Sequence, residues 1–221
     1  MFTIVTNNQI IKRAEKGLVM KISEKYVEKT YTNSQKIKGI QVSQRYNNEV
    51  LAYLYFETIN WKNAPKLLSY NDKIMYFKIE KINNPTIHDC LMENIPIDIG
   101  WLIKKLVHLE KELIDKKIFV RTITTKDIIL DIKKNKLWLI DYEDSMMGTT
   151  YKYSLLYALV WEIDHRKKTF YIKSKQSAEL KKTLYKQIKK YSRYSSIWRF
   201  IFTYCLYGLR SLRRWQRHLK W

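Results

Sequence analysis

Residues 118–143 read I-F-V-R-T-I-T-T-K-D-I-I-L-D-I-K-K-N-K-L-W-L-I-D-Y-E. Strand-forming residues fill 118–130 and 136–140, and K-K-N-K between them is a turn signal, so a β-hairpin is expected. A hairpin brings its two outer ends together. Across this hairpin Asp141 stands beside T-K-D-I-I-L, which carries Asp127. An aspartate at a strand end also suits a turn or a helix N-cap.

Upstream of the hairpin, Ile99–Lys116 has the helical period, with Leu102, Ile103, Leu106, Leu109 and Leu113 on one face. Residues 43–57 predict another amphipathic helix, its face marked by Val50, Leu51, Leu54 and Tyr55 with Tyr46 one turn earlier. Pro65 closes that segment. Lys66–Leu68 and Met75–Ile82 then read as two strands joined around Asn71-Asp72. At the N-terminus, Phe2–Val5, Leu18–Ile22 and Tyr26–Tyr31 are short strand-forming runs. After the hairpin, Tyr153–Ile163 and Ala178–Tyr191 are expected to be helical. This order predicts an α+β fold with a small β-rich lobe over residues 1–83 and a helical lobe over 84–221. Asn83-Asn84-Pro85 marks the expected hinge.

The 221 residues suffice for one large domain or two small lobes, and 46% hydrophobic content excludes a wholly disordered chain. The net charge of +21 favours an anionic partner such as phosphate, nucleic acid or a membrane surface. Cys90 and Cys205 give neither a disulfide framework nor a metal spacing. His88, His108, His165 and His218 show no ligand spacing, and no Gly-x-Ser-x-Gly argues for a hydrolase. The first residues lack a signal-peptide pattern, and no apolar run approaches the roughly 18 residues of a spanning helix. The expected location is therefore cytoplasmic. After Glu179 there is no acidic residue, and residues 197–221 interleave arginine with tryptophan, phenylalanine and tyrosine. Ile197, Phe200, Ile201 and Tyr204 would line one helix face. Such a segment suits peripheral docking on an anionic membrane or glycolipid at the inner face, with nucleic acid as the alternative partner.

In chain order, Y-V-E-K-T-Y around Lys29, N-N-E-V-L-A-Y around Glu49, the strand pair ending at Glu80, and the 118–143 hairpin resemble the protein-kinase-like superfamily. The nearest resemblance is to the divergent bacterial group of lipopolysaccharide core (heptose or Kdo) kinases and the YrbL family. The resemblance covers roughly residues 10–165 and implies a bilobal fold, ATP with Mg²⁺ in the cleft, and transfer of the γ-phosphate to a hydroxyl. It implies that Lys29 contacts phosphate, that Glu49 orients it, and that Glu80 lies beside the nucleotide. Asp141 matches the metal-binding aspartate, and Asp127 stands where the family has a metal-binding asparagine. The family's catalytic-loop aspartate falls on Thr122, leaving Thr122 and Asp127 as the catalytic-loop candidates. Tyr142-Glu143 replaces the family's Phe-Gly, and only Gly17 remains of its glycine-rich loop. The acceptor implied is a sugar of lipopolysaccharide core or another envelope glycolipid. Two other readings stand beside this one: a catalytically impaired pseudokinase with a regulatory role, and a basic nucleic-acid-binding protein.

Overall fold

Strand-forming residues build the first layer. Strands β1 (Phe2–Thr6), β2 (Gln9–Ala14), β3 (Leu18–Ile22) and β4 (Tyr26–Tyr31) follow one another as antiparallel neighbours. A small hairpin, β5 (Lys36–Ile37) with β6 (Ile40–Gln41), leads into helix α1 (Val42–Thr58). Strands β7 (Leu67–Asn71) and β8 (Tyr76–Glu80) then complete a six-stranded sheet in the order β1-β2-β3-β4-β8-β7. The computed structural model describes residues 2–6, 9–14, 18–32, 36–37, 40–120, 123–148, 155–169 and 175–192. Strand β2 is an addition to the sequence expectation. Q-I-I-K-R-A is a weak local signal, and its strand state is set by pairing with β1 and β3 on both sides.

The turn between β7 and β8 is a short 3-10 helix, Asp72–Ile74. Asn71 caps it by accepting a hydrogen bond from Lys73 N at 3.0 Å, and Met75 closes it at a left-handed φ of 47°. The Tyr46 hydroxyl donates to Asp72 Oδ1 at 2.7 Å and so ties α1 to this turn.

The buried face of α1 differs from the expected one. It comprises Val42, Arg45, Tyr46, Glu49, Val50, Ala52, Tyr53 and Phe56, while Leu51 is 60% exposed. Reading only apolar residues rotates the stripe, because two charged residues belong to it. Arg45 and Glu49 are buried since each finds an opposite charge.

The helical layer begins with α2 (Ile87–Met92), whose N-terminus is a capping box of Thr86 and Asp89. Helix α3 (Ile99–Asp115) buries Ile99, Leu102, Ile103, Leu106, Leu109 and Leu113, the face expected from sequence. The 118–130 block resolves into β9 (Ile118–Val120) and β10 (Ile128–Asp131) rather than one continuous strand. Strand β10 pairs with β11 (Lys136–Leu139), and β9 pairs with β12 (Ser145–Met147). Asn135 takes the left-handed position of the hairpin turn at φ 54°. Helices α4 (Leu155–Thr169) and α5 (Lys175–Ser192) follow.

The two layers are bonded to each other. Leu139 N donates to Asn63 O at 2.7 Å, and the Tyr55 hydroxyl donates to Lys116 O at 2.9 Å. A continuous apolar core runs from Tyr31, Phe77 and Ile79 through Tyr53, Phe56 and Tyr142 to Leu106, Leu109 and Leu156.

Candidate active site

Strand alternation turns Val27, Lys29 and Tyr31 toward α1. Lys29 lies opposite Phe77 in β8, its ammonium 5.8 Å from that ring's centroid. From α1, the fully buried Glu49 answers it: Lys29 Nζ donates to Glu49 Oε1 at 2.7 Å. The Tyr31 hydroxyl donates to the other oxygen, Oε2, at 2.8 Å. Both oxygens of a carboxylate sealed from water are therefore satisfied.

The hairpin supplies the second half. Its register sets Ile128 against Leu139, so the next step outward puts Asp127 beside Ile140, and Ile140 N donates to Asp127 O at 2.9 Å. Asp141 follows at φ 68°, a left-handed conformation that aspartate tolerates better than most side chains. That turn sends its carboxylate to Lys29, with Oδ1 accepting from Nζ at 3.2 Å. Asp127 is held by its own loop, its Oδ2 accepting from Thr124 N and Thr124 Oγ1, each at 2.8 Å. Glu162 of α4 accepts a hydrogen bond from Thr125 N and ties the loop to that helix.

The charges are arranged unequally. Burial alone would lower the Lys29 ammonium, but Asp141 and then Glu49 outweigh it and hold the lysine well above its ordinary range. Burial raises Glu49 against the pull of Lys29. Burial and then Glu49 keep Tyr31 protonated, so it remains a donor. Burial, and next the charge of Asp141, lift the Asp127 carboxyl to about 8.

The structure thus unites Lys29, Glu49 and Asp141 directly and sets Asp127 beside them. Glu80 stands apart: it ends β8 on the side away from Phe77 and Ile79, and its backbone N–H donates to Lys66 O. Thr122, Gly17 and residues 197–221 lie outside the described residues. Asp131 occupies the far end of the hairpin. It accepts from Trp138 Nε1 and Lys134 N, which makes it a turn-holding group. Sequence reasoning missed Tyr31 and Glu162. Tyr31 was findable, being two residues from Lys29 on the same strand face. Glu162 was not, because it is far along the chain in a separate helix.

Among the described residues, no group of three or more His, Cys, Asp or Glu forms a metal cage. Mg²⁺ does not require one, since it commonly takes one or two carboxylates and completes its shell with phosphate and water. The oxygens of Asp127 and Asp141 fit that pattern. Among the described residues, no helix is long and apolar enough to cross a membrane.

Behind the site, the Tyr53 hydroxyl is buried without a hydrogen-bond partner among the described residues. Its ring packs edge-on against Phe56 and Tyr142, with centroids 6.1 and 5.4 Å apart. Tyr53→Phe keeps the ring and removes the orphan oxygen. Thermal denaturation should show a gain of about 1 kcal/mol, or a melting temperature higher by roughly 2–4 °C.

A β layer with a buried Lys–Glu pair, joined to a helical layer whose hairpin presents two aspartates, is a protein-kinase-like fold. Solved structures similar to the chain share that architecture. One is a complex of WbdD with the kinase inhibitor LY294002, at TM-score 0.52 and 14% identity, covering 91% of this chain and 52% of that one. Another, described as the bifunctional kinase-methyltransferase WbdD, gives TM-score 0.51 and 15% identity, covering 85% of this chain and 49% of that one. The chain spans about half the length of these structures. No family model matches the sequence, and no curated protein matches it by sequence.

Proposed function

We propose that the chain is a kinase-like phosphotransferase that binds ATP with Mg²⁺ and moves the γ-phosphate to a hydroxyl. The observation that carries this reading is the convergence of Lys29, Glu49 and Asp141, drawn from a strand, a helix and a hairpin end. Lys29 would donate to the nucleotide phosphates, and Glu49 with Tyr31 would keep its ammonium aimed into the cleft. Asp141 and Asp127 would hold the metal, whose part is to neutralise phosphate charge. Phosphoryl transfer depends mainly on positioning and charge neutralisation. A site with Thr122 in the catalytic-loop aspartate position would therefore turn over slowly rather than not at all.

Thr122 also favours a second reading, a pseudokinase that binds nucleotide and regulates without transfer. For the acceptor we take a sugar hydroxyl of lipopolysaccharide core or a related envelope glycolipid. The family resemblance and the basic C-terminus support that choice. The chain would then work in the cytoplasm, with residues 197–221 against the anionic inner face of the membrane.

ATP with Mg²⁺ at about a hundredfold over its Kd should stabilise the protein by about 2.7 kcal/mol in a thermal-shift assay. Asp141→Ala should remove the Mg²⁺-dependent part. Absence of any shift in the wild type would end the nucleotide reading. Nucleotide binding without phosphate release or transfer to any glycolipid acceptor would leave the pseudokinase. Deleting 197–221 should lower retention on anionic liposomes, and unchanged retention would remove the tail from the proposal.

A further inference from the structure

Helix α1 does more than carry Glu49. Its buried face also grips the two residues that follow Asp141. Arg45, only 7% exposed, makes a close ion pair with Glu143, whose side chain is 17% exposed. Asn48, one turn further along, donates from Nδ2 to the Glu143 backbone oxygen at 3.0 Å. Tyr142 is fully buried and sits edge-on against Tyr53 and Phe56 of the same helix, with centroids at 5.4 and 4.7 Å. Its hydroxyl donates back to Leu139 O at 2.6 Å, just before the hairpin ends. Asp141 therefore sits between an anchored strand end and an anchored Tyr142-Glu143.

The grip matters because of the backbone at Asp141. A non-glycine residue at φ 68° holds a conformation that a free loop would leave for a more populated one. Something has to over-determine it. The guanidinium of Arg45 cannot deprotonate, so while it stays buried it requires its anion. The Glu143 carboxylate is that anion, and its carbonyl is fixed as well.

We infer that Arg45 and Asn48 are positioning residues which, through Glu143, hold Asp141 in the left-handed conformation that faces Lys29. Arg45 and Asn48 reach Glu143 and act on the site through it. This inference rests on the nucleotide–Mg²⁺ reading above.

The test measures ATP affinity by calorimetry with Mg²⁺ and with EDTA, for wild type and variants. In the wild type, Mg²⁺ should strengthen binding. Arg45→Met and Glu143→Gln should each cut that Mg²⁺-dependent enhancement by about tenfold, the usual scale for residues supporting a metal ligand. Metal-free ATP affinity should change far less. The charge-reversed pair Arg45→Glu with Glu143→Arg should recover much of the loss. Asn48→Ala deletes one hydrogen bond and leaves the ion pair, so it serves if Arg45→Met does not fold. Its enhancement should fall severalfold. Variants that melt earlier but keep the full Mg²⁺ enhancement would show a merely structural contact and overturn the inference alone. A wild type without Mg²⁺-enhanced ATP binding would overturn the nucleotide reading, and this inference with it.

Discussion

Lys29→Met is expected to destabilise the protein by about 3–5 kcal/mol, the usual consequence of stripping one partner from a buried ion pair. Glu49 is fully buried, and its Oε1 takes its hydrogen bond from Lys29. Without the ammonium, that oxygen faces only protein. The Tyr31 hydroxyl satisfies Oε2 alone. Asp141 also loses its cation. The double variant Lys29→Met with Glu49→Gln removes the charge left behind, and denaturant unfolding should show most of the stability restored. Neither variant should retain ATP affinity. Stability recovers and binding does not, so the pair of measurements separates the structural role of Lys29 from its proposed role toward phosphate. If the double variant stayed as unstable as the single one, the buried carboxylate would not be the cause.

The second large effect belongs to Asp127. Its carboxyl is lifted to about 8 from an ordinary 3.8, by burial first and by Asp141 second. A carboxyl raised in the folded state favours folding while protonated. Its contribution is complete below about pH 4 and is lost as pH rises through 8. The metal-free protein should therefore lose stability between pH 5 and pH 8. Asp127→Asn keeps an oxygen that can accept from Thr124 N and Thr124 Oγ1 and discards the charge. It should raise stability at pH 8 by about 2–3 kcal/mol, below the full linkage value because the residue keeps some water contact. It should also flatten the pH profile over that window. Mg²⁺ with ATP should stabilise the wild type more at pH 8 than at pH 6, since metal requires the ionised form. Equal pH slopes for wild type and Asp127→Asn would remove Asp127 as the source.

Much of the architecture was legible in the sequence because its signals are local. The face of α3 follows from leucines at helical spacing, and the 128–139 hairpin from two apolar runs around K-K-N-K. That hairpin already placed Asp127 near Asp141, since antiparallel pairing fixes which residues meet. The face of α1 was legible only in part. Arg45 and Glu49 look like surface residues until the groups that neutralise them are known. Strand β2 was hidden for a related reason, its state being decided by its neighbours.

The sequence by itself determined the order of elements, the hairpin with its two aspartates, and the residue types that a phosphate and metal site needs. Only the tertiary structure decided that Lys29, Glu49 and Asp141 share one site. The sequence separations are 20 residues between Lys29 and Glu49 and 112 between Lys29 and Asp141. No local period spans such distances. They are closed by β4 lying against α1 and by Tyr142 and Glu143 anchoring on that same helix. Buried charge is the physical reason the two levels differ. A side chain's hydropathy is a property of its residue, whereas the partner that makes its burial tolerable is a property of the fold.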